Sequence, residues 1–379
     1  MLRHALRASI ALGLACGGGG GGPEPLPDAG PLACPTEAPT IGSAGTTSSE
    51  TFPLTWGPDG VAAVDLVVPD DLTALALVAE DGTDYTAFWS VRQDNRGLVD
   101  LDTDPDGLRA PFYHTWNYSS SLAFPTNETS ALEPGCLRVE ALTDGSGAAP
   151  GVLHVLSRRR AAGGTLRVDL VLVGATELPG ATLDQVAAEL ATVLDATGLA
   201  ITVEVATAAV DGDPFPPSDG AETLALRGSY RPADPSRIPI YVIQGFTGEL
   251  DTLGIAGGIP GANGVPGAAS AGVLVAVDPH LTEGGEVDVL VMAETAAHEL
   301  GHQLGLFHTT EAEGTEHDPI GDTAECDASR DDDGDGDVSA EECAETGGRN
   351  LMFWVSAEFP QRELSAWQRR ILELGPVVR

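Results

Sequence analysis

The chain has 379 residues, with 57 Asp and Glu against 19 basic residues and a formal net charge of −38. Such a charge repels phosphate backbones and excludes a nucleic-acid binder, while it favours solubility and divalent cations. The length suggests two domains with ample core, and every basic residue is Arg, a compositional bias rather than a functional signal.

In chain order, residues 1–16 read as an export signal. Arg3 and Arg7 form a basic start, and Ala8 to Ala15 is an apolar run too short to span a bilayer. Leu12-Gly13-Leu14-Ala15 before Cys16 resembles a bacterial lipoprotein cleavage site, with Gly13 where Leu is usual. Lipidation at Cys16 is the expectation, and ordinary secretion is the alternative. The chain is therefore expected to be exported, touching a membrane only through that anchor. Residues 17–33 are Gly- and Pro-rich and read as a tether.

Residues 34–157 show short apolar runs between turn signals. Val61 to Val68, Leu72 to Val78, Gly135 to Ala141 and Val152 to Leu156 are strand-like, and Asp81-Gly82, Asp106-Gly107 and Asp144-Gly145 are turn pairs. The expectation is a β-sandwich, either an accessory domain or a removable prodomain. Asn117-Tyr118-Ser119 and Asn127-Glu128-Thr129 have the shape of glycosylation sequons but read as polar loops, and the acidic stretch from Asp94 to Asp106 reads as solvated surface. After Cys16 four cysteines remain, which in an exported chain imply two disulfides with three pairings open. Proximity favours Cys34–Cys136 and Cys326–Cys343. A thiolate of Cys136 capping a metal is the rival use of that residue.

Residues 158–164, with Arg158-Arg159-Arg160, read as a linker, and the Arg triplet offers a processing site. The second domain is expected over 165–379. It begins with a strand at Leu166 to Val173, a helix capped by Thr182 and ending near Ala196, and a strand at Ile201 to Ala206. A loop with a short helix at Glu222 to Leu226 follows, then a strand at Ile238 to Ile243. Gly245 to Gly272 is glycine-rich but lacks the Gly-Lys-Ser/Thr ending of a phosphate loop, so nucleotide binding is rejected. A strand at Gly272 to Val277 leads to a helix from Asp288 to about Leu304, and a last helix, capped by Ser365, closes the chain near Leu374.

The Asp288 helix carries the chemistry. His298-Glu299-Leu300-Gly301-His302-Gln303-Leu304-Gly305-Leu306-Phe307-His308 reads H-E-x-x-H-x-x-G-x-x-H. His298 and His302, four apart, share one helix face, a separation that suits two ligands of one zinc. Gly305 can take the positive φ that ends a helix and lets the chain turn His308 back as third ligand. Three protein ligands leave a fourth position for water, with Glu299 placed as general base.

This pattern resembles the metzincin zinc peptidases, strongly at the histidine motif and weakly elsewhere over 165–379. The expected fold is therefore α+β: an all-β sandwich followed by a mixed sheet with an active-site helix. The resemblance further implies a methionine turn beneath the zinc, which Met352 in Arg349-Asn350-Leu351-Met352-Phe353-Trp354 supplies. It implies an edge strand that binds substrate by strand addition, assigned to Gly272 to Val277. Trp354 stands where several metzincin subfamilies have Tyr, so a hydroxyl near the metal is lost. Leu306-Phe307-His308-Thr309 and the cysteine-bearing acidic insert at 326–343 are closest to the pappalysin-like group.

Within that insert, Asp331 to Glu342 follows the twelve-residue EF-hand loop, with Asp331, Asp333 and Asp335 at positions 1, 3 and 5, Gly336 at 6 and Glu342 at 12. The Asp337 carbonyl and Ser339 complete the expected calcium ligands. The function expected is an exported zinc endopeptidase acting on protein or peptide substrates. The alternative is a metal-stabilised surface binding protein or adhesin that has lost catalysis.

Overall fold

The computed structural model describes residues 32, 34–42, 47–81, 85–94, 96–100, 119–144, 150–160 and 163–379. The export signal, Cys16, nearly all of the tether, Asn117 and most of the acidic stretch after Asp100 lie outside the described residues.

The first half forms two four-stranded antiparallel sheets. One contains β1 (Thr47–Leu54), β8 (Gly151–Arg159), β3 (Leu72–Glu80) and β6 (Ser119–Phe124), in that order. The other contains β2 (Val61–Val68), β7 (Gly135–Thr143), β4 (Thr86–Gln93) and β5 (Arg96–Asp100). Alternation places Leu75, Leu77 and Ala79 of β3 and Leu153 and Val155 of β8 against Leu66, Phe88, Leu137 and Val139 of the opposing sheet. The two sheets pack face to face, and Cys34, beside β2, is bonded to Cys136 of β7. Cys136 is thus no metal cap.

The other face of the first sheet is also covered. Val78 of β3 and Leu156 of β8 belong to the core of the second half. Period 2 explains this: even-numbered residues of these strands face away from the sandwich interior. The linker expected at 158–164 accordingly starts later. Arg158 and Arg159 pair with β1 or β3 in β8, and Arg158 is 2% exposed, its guanidinium donating to Glu373 O and Gly163 O. Two-sided burial of the sheet keeps the chain extended through Arg159.

The second half is built on a five-stranded sheet in the order β10 (Thr202–Val210), β9 (Thr165–Val173), β11 (Arg237–Ile243), β13 (Val273–Ala276), β12 (Gly254–Ala256). All neighbours are parallel except the β12–β13 pair. Leu166, Val168, Leu170, Ile240, Val242 and Val275 face α1 (Gly180–Ala196) and α3 (Val289–Gln303). Val171, Val173, Tyr241, Ile243 and Leu274 face the opposite side, where Leu226 of α2 (Ala221–Ser229) packs. Burial on both faces is why these strands read as continuous apolar runs.

Two sequence expectations need correction. The helix near Thr182 begins at Gly180 with Pro179 at its N-cap, and Thr182 lies inside the first turn, its N–H bonded to Pro179 O. The edge strand is β12, not the Gly272 to Val277 segment, which is an inner strand. Three residues inside a glycine-rich stretch leave no periodic signal to find. The caps of α3 by Asp288 and of α4 (Ala366–Leu374) by Ser365, the latter a full capping box with Gln368, are as expected.

Candidate metal centre

Helix α3 sets the site. His298 and His302 rise from one face of its last turns, and the chain leaves the helix through Gly305 at φ +107°, a conformation glycine adopts without strain. The turn returns His308 so that its Nε2 lies 3.2 Å from His298 Nε2 and 3.1 Å from His302 Nε2.

The donor set fits a zinc ion. Each far nitrogen has an acceptor: His298 Nδ1 is 2.7 Å from Leu351 O, His302 Nδ1 is 2.7 Å from Leu306 O, and His308 Nδ1 is 3.0 Å from a Glu311 carboxylate oxygen. Those partners assign the proton to Nδ1 and aim three Nε2 lone pairs at one point. Lone pairs this close repel unless a cation lies among them. Tetrahedral zinc at about 2.0–2.1 Å from each nitrogen sets its ligands roughly 3.3 Å apart. Burial depresses the basicity of His298 to about 3 and drives that of His302 well below the ordinary range, with the neighbouring histidines adding to both. Neutral imidazoles are the form that ligates.

Glu311, unforeseen in the sequence, completes a carboxylate–histidine pair of the kind that orients metal ligands. Its only signal was a carboxylate three residues past the third histidine.

Glu299 is 6% exposed. Burial pushes its carboxyl up to about 7, opposed by the His308 ring, a backbone hydrogen bond from Ala256 and the charge of Arg227. Arg227, 5% exposed in the last turn of α2, donates to Ala256 O at 3.1 Å. β12 is therefore tied at Ala256 to Arg227. A Cβ on Gly254 would meet Glu299 Cγ at 2.8 Å, so the edge strand passes close over the carboxylate.

Met352 is fully buried beneath the histidines. A Cβ on Gly301, in the middle of the motif, would stand 2.4 Å from Met352 Sδ, so the helix lies directly on the sulfur. Asn350 Oδ1 accepts from Met352 N–H, and Met352 O accepts from Thr309 N–H beside His308. The segment Phe353 to Ala357 continues as one wall of a cavity whose other walls include Leu253, Val291, Glu294, His298 and Glu299. Trp354 lines that cavity while its indole N–H donates to Val338 O at 2.7 Å.

Val338 belongs to the acidic insert, closed by Cys326–Cys343. Carboxylate oxygens of Asp331, Asp333 and Asp335 lie within 4.8 Å of one another. Asp331 accepts from Gly334 N–H and Gly336 N–H, and Gly336 has φ +98°. Glu342 is not drawn into that group; it accepts from Asp332 N–H and from Ser339 N–H and hydroxyl. Asp337 N–H donates to Asp335.

No family model matches the sequence, and no curated protein matches it. Among solved structures, the chain is similar to metalloproteinase-II from Bacteroides fragilis, at 15% identity over 57% of this chain and 53% of that one, with a TM-score of 0.31. It is also similar to an archaemetzincin from Methanopyrus kandleri, at 18% identity over 38% of this chain and 75% of that one, with a TM-score of 0.24. The match spans about half the length of the first. Likenesses this loose carry no weight, and the functional reading rests on the geometry of the site.

Proposed function

We propose that the chain is a metzincin-like zinc endopeptidase, with His298, His302 and His308 as ligands and Glu299 as general base. The observation that carries the reading is the convergence of three Nε2 atoms whose Nδ1 partners are all satisfied, beside a buried carboxylate. A zinc ion held by these three histidines would supply Lewis acidity toward a bound water and the scissile carbonyl. Glu299 takes the proton from the attacking water and returns it to the leaving amine. Gly254 of the edge strand passes close over that carboxylate. An extended substrate adds to the open edge of β12, and one of its side chains enters the cavity walled by Phe353 to Ala357.

In the same reading the sandwich over 34–157 and the peptidase unit over 165–379 form an exported protein, anchored at Cys16. Asp331, Asp333 and Asp335, with Asp337 O, Ser339 and Glu342, hold a structural calcium that orders the insert behind Trp354. Glycine N–H groups folded onto Asp331 and the buried Val338 at loop position 8 support this.

The test is metal content and casein cleavage of the exported chain, with and without a zinc chelator, beside Glu299→Gln. About one zinc per chain and chelator-sensitive cleavage are expected, with zinc kept and cleavage lost in the variant. Cleavage by E299Q would remove Glu299 from its role. Zinc without cleavage in the wild type would favour the binding-protein reading, and absence of zinc would end both.

A further inference from the structure

We propose that the sandwich is a fixed part of the metal site and that Ser119 is a positioning residue for it; this rests on the zinc reading above. A buried polar chain connects them. Ser119 is the first residue of β6, and its Oγ lies 2.7 Å from Ser270 Oγ and accepts from Ser270 N–H at 3.0 Å. Ser270 O in turn accepts from Gln303 Nε2 at 3.1 Å. Ser119, Ser270 and Gln303 are all 0% exposed, and Gln303 follows the ligand His302 directly.

Gln303 is held from every side by the glycine-rich stretch between β12 and β13. Its Oε1 accepts from Gly257 N–H at 3.0 Å, its Nε2 also donates to Asn263 Oδ1 at 3.1 Å, and its carbonyl accepts from Gly261 N–H at 3.0 Å. The last of these satisfies a carbonyl that the helix end leaves unpaired. A Cβ on Gly261 would fall 1.9 Å from the Gln303 amide, so the backbone lies against it.

A buried amide and two buried hydroxyls are costly to leave unmade, so the three groups fix one another in a single arrangement. The consequence is directional. The stretch 257–272 is rich in glycine; Ala262 and Val265 share the core with Leu156 of the sandwich, and Ser119 adds the buried hydrogen-bonded contact that fixes its backbone at Ser270. Through Ser270 and Gln303 that pinning reaches the end of α3, where His302 must meet the turn to His308. The sandwich therefore acts as a permanent brace rather than as a segment to be removed.

The experiment compares Ser119→Ala with Leu77→Ala in the full chain. Leu77 is in the sandwich interior and faces away from the second half, so it lowers stability without touching the polar chain. Amide exchange over 257–272 and zinc affinity are measured at temperatures giving equal global stability. S119A is expected to speed exchange in that segment and to raise the zinc Kd, each by about tenfold, and to lower kcat with KM unchanged. L77A is expected to do none of these. Ser270→Ala reaches the same contact from the other side and repeats the result should S119A fold poorly. Wild-type exchange and affinity in the serine variants, or equal changes in L77A, would overturn the proposal. If the wild type bound no zinc, the peptidase reading would fail, and the exchange measurement would still decide whether Ser119 pins the segment.

Discussion

Glu311 meets the third histidine of the cluster three residues on, its carboxylate 3.0 Å from His308 Nδ1. Glu311→Gln should weaken zinc binding by about tenfold, as loss of an outer partner of a metal-bound histidine does, measured by competition with a chromophoric chelator. Gly301→Ala should destabilise the chain by about 1–3 kcal/mol, because a methyl has no room above Met352 Sδ. Asp318 gives a pH signature. Its carboxyl is buried with Oδ2 unpartnered, and burial pushes it up to about 7 from an ordinary 3.8, opposed by Thr323 and Ile320 and aided by Glu325 and Asp322. The folded state thus binds this proton more tightly than the unfolded one. Its contribution favours folding in acid, and a cost of about 4 kcal/mol builds as pH rises from 3.8 to about 7. Denaturant titrations of Asp318→Asn should show a flatter stability profile across that window than the wild type. The histidines were legible in the sequence because their spacing alone carries the chemistry. Arg227 was not, because a basic residue in a helix's last turn reads as solvated, and only its contact with Ala256 reveals a buried cation.

Among the elements, helices with caps and long two-faced strands were read nearly to the residue: β2, β9, β11, α3 and α4 lie where apolar periodicity and capping residues put them. What failed was the short edge strand, since hydrogen bonding to β13 and the closeness of α3, not a sequence pattern, make Gly254 to Ala256 a strand. Thr182 failed as a cap because the chain already turns at Pro179. The acidic insert was legible by its spacing, yet its link to the site, the bond from Trp354 to Val338 O, depends on a tertiary contact. That bond supplies a test at the level of the element. Adding calcium to chelator-treated protein should shift the Trp354 part of the fluorescence, and Trp354→Phe should abolish that part of the change. An unchanged spectrum in the wild type would argue against a calcium loop coupled to the cavity wall.

For the whole molecule, the two halves share a core. Val78 and Leu156 of the sandwich pack with Val377, Leu166 and their neighbours, Arg158 is buried at the junction, and Asn127 donates to Pro319 O across it. Calorimetry should therefore show one unfolding transition, and two separated transitions would contradict a shared core. The shared core was not legible in the sequence, because an apolar run such as Leu72 to Val78 does not say which two layers cover its faces. The other boundary of the molecule is the open side of β12. Unpaired strand edges invite other sheets to dock and propagate into aggregates. Here the edge is three residues long, one of its carbonyls already holds Arg227, and Gly254 offers no side chain to grip. A second copy of the sheet gains too few hydrogen bonds from so short an edge to stay, so its brevity guards the chain against polymerising along this side.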